Sequence, residues 1–286
     1  MAQNNNSHSS TTLLEKKRSL SPSEEDVRVL SIAEYEEAAT CLAEAFAVDD
    51  VARYFIDTPD MVNYSEEFKY NMHCDILRYI TAAHCYKGIV TTIGPNYDAV
   101  ALWMPPGKNA DDLWTILRSG MWRLWYKLSS EGRKRFYDEF LPLLHDTKHD
   151  VMGDRDDDSY YLVYLGSKPS ARGKGYAKKL IEHMTAIASL PFFFPQKSYC
   201  TTPISSGRQP ADFEGRATYL ESSAANNLPY YVKFGFEHVT DIELKRGSKP
   251  VKLHIMVREP LGVAEGSKHL EIKQTVKVRT LSVSSE

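Results

Sequence analysis

The sequence is short of cysteine, of net charge and of long apolar stretches. Its four cysteines are spread widely and form no C-x-x-C pair, which disfavours structural zinc and predicts reduced thiols. The formal net charge of −3 gives no whole-chain attraction to nucleic acid or to an anionic membrane. No apolar run approaches the roughly 18 residues of a membrane span, and the opening MAQNNNSHSSTT has no apolar signal core. We expect a soluble cytoplasmic protein, possible also in the nucleus, without membrane or nucleic-acid partners.

Two common nucleotide-binding motifs are also missing. A Walker A loop needs G-x-x-x-x-G-K-[ST], but Gly166 lies too far from Gly173, and Lys174 is followed by glycine. The dinucleotide fingerprint G-x-G-x-x-G needs a small residue where Lys178 stands. These two absences disfavour a P-loop nucleotidase and a Rossmann oxidoreductase.

The chain alternates strand-like and helix-like segments between two polar ends, which predicts an α/β fold. Residues 1–25 are rich in Asn, Ser, Thr and Glu and are predicted to be disordered. The stretch 191–216 contains several prolines and little periodicity, and it is interpreted as an insertion. The tail 262–286 is predicted to be either disordered or an added edge strand. Residues 146–159 are interpreted as a polar loop whose acidic run lacks calcium-loop spacing, so no metal site is expected.

A glycine-rich turn stands between a strand and a helix in SKPSARGKGYAKKLIEHM. Such a turn points backbone N–H groups and the positive end of a helix dipole at one place, which suits a phosphate. Arg172, Gly175 and Ala177 satisfy the pattern [RQ]-x-x-G-x-[GA], in which glycine lets successive amides turn inward around a pyrophosphate. Alone, this short pattern is a weak signal.

About fifty residues later the chain reads YLESSAANNLPYYVKFGFEHV, with the spacing N-x-P-x-Y-x-x-x-G-F. Together with the Arg/Gly loop, this order resembles acetyl-CoA motifs A and B of the GCN5-related N-acetyltransferase (GNAT) family. The strings VALW, GKG, LE-S and NLP-YY are most similar to its puromycin acetyltransferase-type branch. The resemblance implies one GNAT domain over 26–261, with a mixed central sheet, a splayed strand pair at the CoA site and flanking helices.

The resemblance also implies which residues hold acetyl-CoA, the expected co-substrate. The strand end would pair with the pantetheine arm, the loop would hold the pyrophosphate, and Asn227 would bond a pantetheine amide, although Asn226 is one residue away. The expected donor-binding residues are Leu165, Gly166, Ser167, Arg172, Gly173, Lys174, Gly175, Tyr176, Ala177, Asn227 and Tyr231.

Two residues are predicted to be catalytic. Tyr231 is the candidate general acid, because a phenol can supply a proton or hydrogen bond to the departing thiolate; the alternative is a core aromatic. Glu221 is the candidate base that deprotonates the amine, and the alternative is an exposed strand carboxylate.

The acceptor is harder to predict from sequence. Asp50 is the candidate partner of a cationic amine, and Trp103 the candidate wall of an apolar pocket; a solvated loop residue and a core residue are the alternatives. We predict acetyl transfer to a small-molecule amine, drug-like or metabolite-like, in a ternary complex and by a monomer or homodimer. A protein or histone lysine acetyltransferase and a non-catalytic CoA-binding regulator remain alternatives.

Overall fold

A computed structural model describes residues 26–185 and 215–260. The predicted disordered segment 1–25, the tail 262–286 and all of the 191–216 insertion except Gly215 and Arg216 lie outside the described residues.

The described residues build one seven-stranded mixed sheet with the strand order β1-β2-β3-β4-β5-β7-β6. Only the β4–β5 pair is parallel; every other neighbouring pair is antiparallel. The stretches IVTTI and AVALW form the antiparallel hairpin of β2 and β3, and the predicted α/β fold class is confirmed. The strands are β1 Arg28–Val29, β2 Ile89–Ile93, β3 Ala99–Met104, β4 Tyr160–Ser167, β5 Thr218–Ser222, β6 Phe236–Leu244 and β7 Val251–Arg258.

Helices cover both faces of the sheet. The principal helices are α1 Tyr35–Ala45, α2 Asp50–Tyr54, α3 Glu66–Lys87, α4 Leu113–Ser119, α5 Leu124–Lys127, α6 Ser130–Arg133, α7 Leu141–Met152, α8 Tyr176–Thr185 and α9 Leu228–Val232. A π-helical segment, Lys134–Phe140, joins α6 to α7. No helix in residues 26–185 and 215–260 has the length and apolar character needed to cross a membrane.

The sheet opens between β4 and β5. These strands pair only from Tyr160 opposite Thr218 to Leu162 opposite Leu220, whereas β4 stays paired with β3 as far as Ser167. A register shift lets Tyr164 face Leu102 while Leu162 faces Trp103, so one extra β4 residue bulges at this point. Beyond Leu162, therefore, one edge of β4 is not covered by β5, as the predicted splayed pair requires.

The two faces of the sheet have different roles. On one face, α8 packs on a core that includes Trp103, Leu180 and Phe236. On the other face, α1 and α3 pack on the sheet through residues such as Leu42 and Leu77, while Phe55 and Phe136 belong to a neighbouring cluster between α2 and the π-helical segment. The helices α1, α2 and α3 and the π-helical segment therefore lie on the face of the sheet opposite α8.

Helix α7 is longer than the sequence predicts. The stretch 146–159 is interpreted above as a loop, but the helix continues through it as far as Met152 and ends at Gly153, which has φ +55°. The prediction was wrong because the polar letters of this stretch mark an exposed helix face. The extension has a consequence for the site, because it carries Lys148 to the sheet.

Candidate functional site

A cavity of about 390 Å³ lies at the opening between β4 and β5 and extends under the helices of one face. That volume falls within the range of small-ligand pockets. Its apolar part includes Phe55, Ile76, Phe136, Phe140 and Leu144. Phe55 meets Phe136 and Phe140 edge to face, with centroids 5.2 and 4.9 Å apart. The cavity therefore joins an aromatic interior to the unpaired edge of β4.

The glycine-rich loop connects the end of β4 to the start of α8. Gly173 and Gly175 have φ +80° and +77°, a conformation that L side chains rarely adopt, and no atom lies within 4 Å of a Cβ built on either. The first amide groups of α8 have no carbonyl partner within their own helix. Lys174 lies 3.7 Å from Asp98 Oδ2, and the guanidinium of Arg172 donates to the Ala45 carbonyl at 3.3 Å. Left-handed glycines just before a helix N-terminus are the arrangement that the predicted anion-binding nest requires.

The strand end before the loop is held by close packing. A Cβ on Gly166 would lie 2.8 Å from Ala45 Cβ and 3.0 Å from Leu42 Cδ2, so α1 rests directly on the strand backbone there. Leu165 lines the cavity, and Ser167 pairs with Ala99 of β3. Tyr176 and Ala177 begin α8, with Tyr176 buried in its core. The predicted donor-side residues thus follow one another along β4, the loop and α8.

Glu221 sits at the end of β5 and lines the cavity. Burial raises the pKa of its carboxyl to about 7, and the nearby hydroxyls of Tyr161 and Tyr219 and the ammonium of Lys148 oppose that rise. Its Oε1 is buried without a hydrogen-bond partner in the part of the chain that the structure describes. A carboxyl with a pKa near neutrality and an unused oxygen is equipped to accept a proton.

Tyr231 lies on α9 and lines the same cavity. Its ring packs on Phe236 at a centroid distance of 5.8 Å and on Tyr230 at 6.0 Å. Burial raises the pKa of its phenol above the ordinary value of 10.0, so the hydroxyl is protonated at neutral pH. It can donate a hydrogen bond into the cavity.

Two further polar groups border the cavity. Asn227, at the end of a 3-10 turn, lines it. Its neighbour Asn226 is exposed, as Asn227 is, but is not among the described residues of the wall. Asp49 caps α2, accepting from the amides of Val51 and Ala52 at 3.0 and 3.1 Å, and receives a hydrogen bond from the Ser223 hydroxyl. The Asp49–Ser223 contact links α2 to the chain just after β5.

The structure places two predicted acceptor residues elsewhere. Asp50 is exposed and does not line the cavity, because it is the first residue of α2 and its neighbour Asp49 is the inward-facing cap. Trp103 is 0% exposed and packs on the α8 face, away from the cavity, since side chains alternate along β3. These positions correct the sequence interpretation of both residues; Asp49, not Asp50, lines the cavity.

Sequence reasoning also missed Asp49, Tyr161, Tyr219 and Lys148. The signal for Asp49 was available: an aspartate before DVARY is a typical N-cap. Tyr219 and Glu221 are two residues apart on a strand and therefore share a face. Tyr161 joins them only because it stands opposite Tyr219 in the parallel pair. No local pattern predicts that last contact.

Comparison with known proteins gives a relative in fission yeast. No family model matches the chain. It is 43% identical over 227 residues to an uncharacterized N-acetyltransferase, C550.08, from Schizosaccharomyces pombe, a match that covers 79% of this chain and 80% of the yeast protein.

Solved structures give more distant likenesses. A protein of Corynebacterium glutamicum, described as histone acetyltransferase HPA2 and related acetyltransferase, is 19% identical with a TM-score of 0.44, covering 83% of this chain and 97% of its own. Arylalkylamine N-acetyltransferase 2 from Aedes aegypti is 16% identical with a TM-score of 0.47, covering 82% and 97%. The family assignment rests on the yeast relative.

Proposed function

The chain belongs to the GCN5-related N-acetyltransferase family, and we propose that it transfers acetyl from acetyl-CoA directly to the amine of a small molecule. The observation that carries this proposal is the opening between β4 and β5, which has the glycine loop on one side and Glu221 and Tyr231 in the adjoining cavity. Donor, acceptor and proton-transfer groups can therefore meet at one place.

The donor side fits a CoA thioester. The left-handed glycines Gly173 and Gly175 leave open space for the pyrophosphate beside the α8 N-terminus. The uncovered edge of β4 after Leu162 offers backbone groups to the extended pantetheine arm, in the manner of an added strand. Asn227 is placed to bond an amide of that arm.

The acid–base groups fit amine acetylation. Glu221 takes a proton from the acceptor ammonium, directly or through water, and so frees the neutral amine that attacks the thioester; its pKa of about 7 leaves it half ionised at neutral pH. Tyr231 donates a hydrogen bond to the departing sulfur. Because a thiol pKa is about 8.5 and the Tyr231 pKa is raised above 10.0, a hydrogen bond is favoured over completed proton transfer.

The acceptor is inferred to be a cationic amine with an apolar body. Asp49 supplies a carboxylate at the cavity wall, and the aromatic interior around Phe55 and Phe136 suits an apolar group. A cavity of about 390 Å³ lined largely by apolar side chains favours a small molecule over the protein or histone lysine acceptor that remains the alternative within this family. The puromycin acetyltransferase-type branch, the direct ternary complex and the monomer or homodimer stay predictions.

The proposal is tested by measuring thiol release from acetyl-CoA with puromycin, polyamines, arylamines and a histone-tail peptide. Turnover on one small amine, with intersecting initial-velocity lines, is expected. Turnover on the peptide alone would replace the small-molecule acceptor by a protein. Acetyl-CoA binding without turnover on any amine would favour the non-catalytic regulator, and no binding would contradict the donor site.

Gly175→Ala is expected to raise the KM for acetyl-CoA several-fold and to leave the KM for the amine nearly unchanged. The new Cβ projects into the open side of the loop, and its left-handed φ adds about 1 kcal/mol of strain. Gly107→Ala is the matched control, since Gly107 has φ +67° and equally empty surroundings. An equal loss of acetyl-CoA affinity in both variants would attribute the effect to general destabilisation.

Asp49→Asn is expected to raise the KM for a cationic amine about tenfold, the scale of one hydrogen bond to a charged group. Asparagine caps a helix as well as aspartate, so the free energy of unfolding should change little. Initial rates with the amine that turns over best provide the measurement. An unchanged amine KM would limit Asp49 to its capping of α2.

A further inference from the structure

Three metal-ligating side chains come together on β6 and β7, outside the cavity. His238 Nε2 and His254 Nδ1 each lie 2.7 Å from Asp241 Oδ1. One ligand atom from each of the three lies within 4.8 Å of the other two. In the sequence these residues are 3 and 13 positions apart, with no metal-binding motif between them.

A strand bulge makes the arrangement possible. In a regular strand, His238 and Asp241 would point to opposite faces, because side chains alternate with a period of two. In β6, His238 pairs with Met256 while Thr240 pairs with Ile255, so one extra residue is inserted between them. That insertion returns Asp241 to the His238 face, opposite His254 of β7. Bulges re-aim side chains in this way beside functional sites.

The surroundings suit a bound cation that solvent can reach. His254 is only 9% exposed and is held in place by the sheet, whereas His238 and Asp241 are exposed. One ligand is therefore rigid and the other two leave an entry path.

We propose that His238, Asp241 and His254 form a surface site for one divalent transition-metal cation of the Zn²⁺ class. Two imidazoles and one carboxylate are typical ligands of zinc, nickel or cobalt, whereas calcium and magnesium prefer oxygen alone. Water would complete the coordination on the exposed side. The cation would tie β6 to β7 at the bulge, and the site is independent of the acetyl-transfer proposal.

One neighbouring charge weakens the site. The ammonium of Lys252 lies 3.5 Å from Asp241 Oδ2 and 3.9 Å from Glu243 Oε1. A positive charge this close opposes a divalent cation. Removing the Lys252 charge should therefore strengthen metal binding. A His–Asp–His cluster that is only hydrogen-bonded, and binds no metal, predicts no such increase.

Isothermal titration of the full chain with ZnCl₂ tests the proposal without reference to activity. The wild type is expected to show one saturable site, and its zinc affinity should fall at least about tenfold in His238→Gln and in His254→Gln. Substituting a residue that merely hydrogen-bonds to a metal ligand already lowers metal affinity by about that factor. His149→Gln is the matched control, because His149 forms a similar His–Asp pair with Asp156 but has no third ligand among the described residues. Other thiols and histidines of the chain are common to all variants.

Two further outcomes decide the matter. Lys252→Gln is expected to tighten zinc binding, and saturating zinc should raise the Tm of the wild type but not of His238→Gln. His238 is exposed, so that variant keeps its fold even if His254→Gln does not. Zinc uptake that is the same in the wild type and His238→Gln, or no saturable uptake by the wild type, would overturn the site.

Discussion

Glu221→Gln is expected to lower kcat/KM about a hundredfold or more and to abolish the rise in activity centred near pH 7. The Glu221 carboxyl of the protein without substrate has a pKa of about 7. Loss of a positioned base typically lowers the rate by about two to four orders of magnitude. Rates are measured from about pH 5.5 to about pH 9 with two acceptor amines of different basicity. A rise in rate that stays near pH 7 with both amines belongs to Glu221, whereas one that moves with the basicity of the amine reports deprotonation of the amine itself.

The same substitution is expected to stabilise the fold at high pH. The folded carboxyl keeps its proton up to about pH 7, whereas the unfolded one releases it near its ordinary value of 4.5. The free energy of unfolding therefore falls as pH rises through that window, by about 3 kcal/mol in total. Glutamine cannot ionise, so the variant should match the wild type near pH 4 and exceed it at pH 8 in urea unfolding.

A matched substitution separates this effect from a general loss of negative charge. Glu237 is exposed on β6, and Glu237→Gln should change neither the activity nor the pH profile. Wild-type kcat/KM in Glu221→Gln, with the pH limb retained, would remove Glu221 from the mechanism. A variant that is both inactive and less stable at pH 8 would indicate a structural role.

Tyr231→Phe is expected to lower kcat about tenfold to a hundredfold, the scale of one hydrogen bond to a developing anion. The ring contact with Phe236 survives the change. The hydroxyl has no hydrogen-bond partner among the described residues, so its removal leaves no buried group unpaired. KM for acetyl-CoA and the pH limb assigned to Glu221 should therefore stay close to the wild type.

Tyr230→Phe provides the control for Tyr231, because Tyr230 neighbours it and does not line the cavity. Single-turnover measurement of thiol release reports the step directly. If Tyr231→Phe transfers acetyl as fast as the wild type, Tyr231 has no role in assisting the leaving sulfur.

The placement of the proposed donor-side residues was predictable because its signals are local. Gly173 and Gly175 stand at left-handed positions between β4 and α8, and the N-x-P-x-Y spacing places Asn227 just before the short helix that carries Tyr231. The opening between β4 and β5 was expected from the family resemblance alone. It depends on where two distant strands stop pairing, which no local pattern predicts.

The acceptor side was less predictable because its contacts are long-range. Asp49 and Asp50 are adjacent letters, and only the direction in which α2 begins distinguishes the inward one. Trp103 has the chemistry of a pocket wall, but strand alternation turns it into the core on the other face. The His238–Asp241–His254 cluster was likewise hidden from a linear reading, since one bulge and one strand pairing create it.

The short β4–β5 pairing has a consequence for how the chain folds. Strands β1 to β4 form a run of antiparallel neighbours, and β6 and β7 form a hairpin that β5 joins. Within residues 26–185 and 215–260, only three strand residue pairs, each joining partners 58 positions apart such as Tyr160 and Thr218, connect the two groups. Closing so long a loop costs conformational entropy that these few hydrogen bonds do not offset early in folding. The two halves should therefore assemble separately and join last, so that the substrate cleft is the final junction to form.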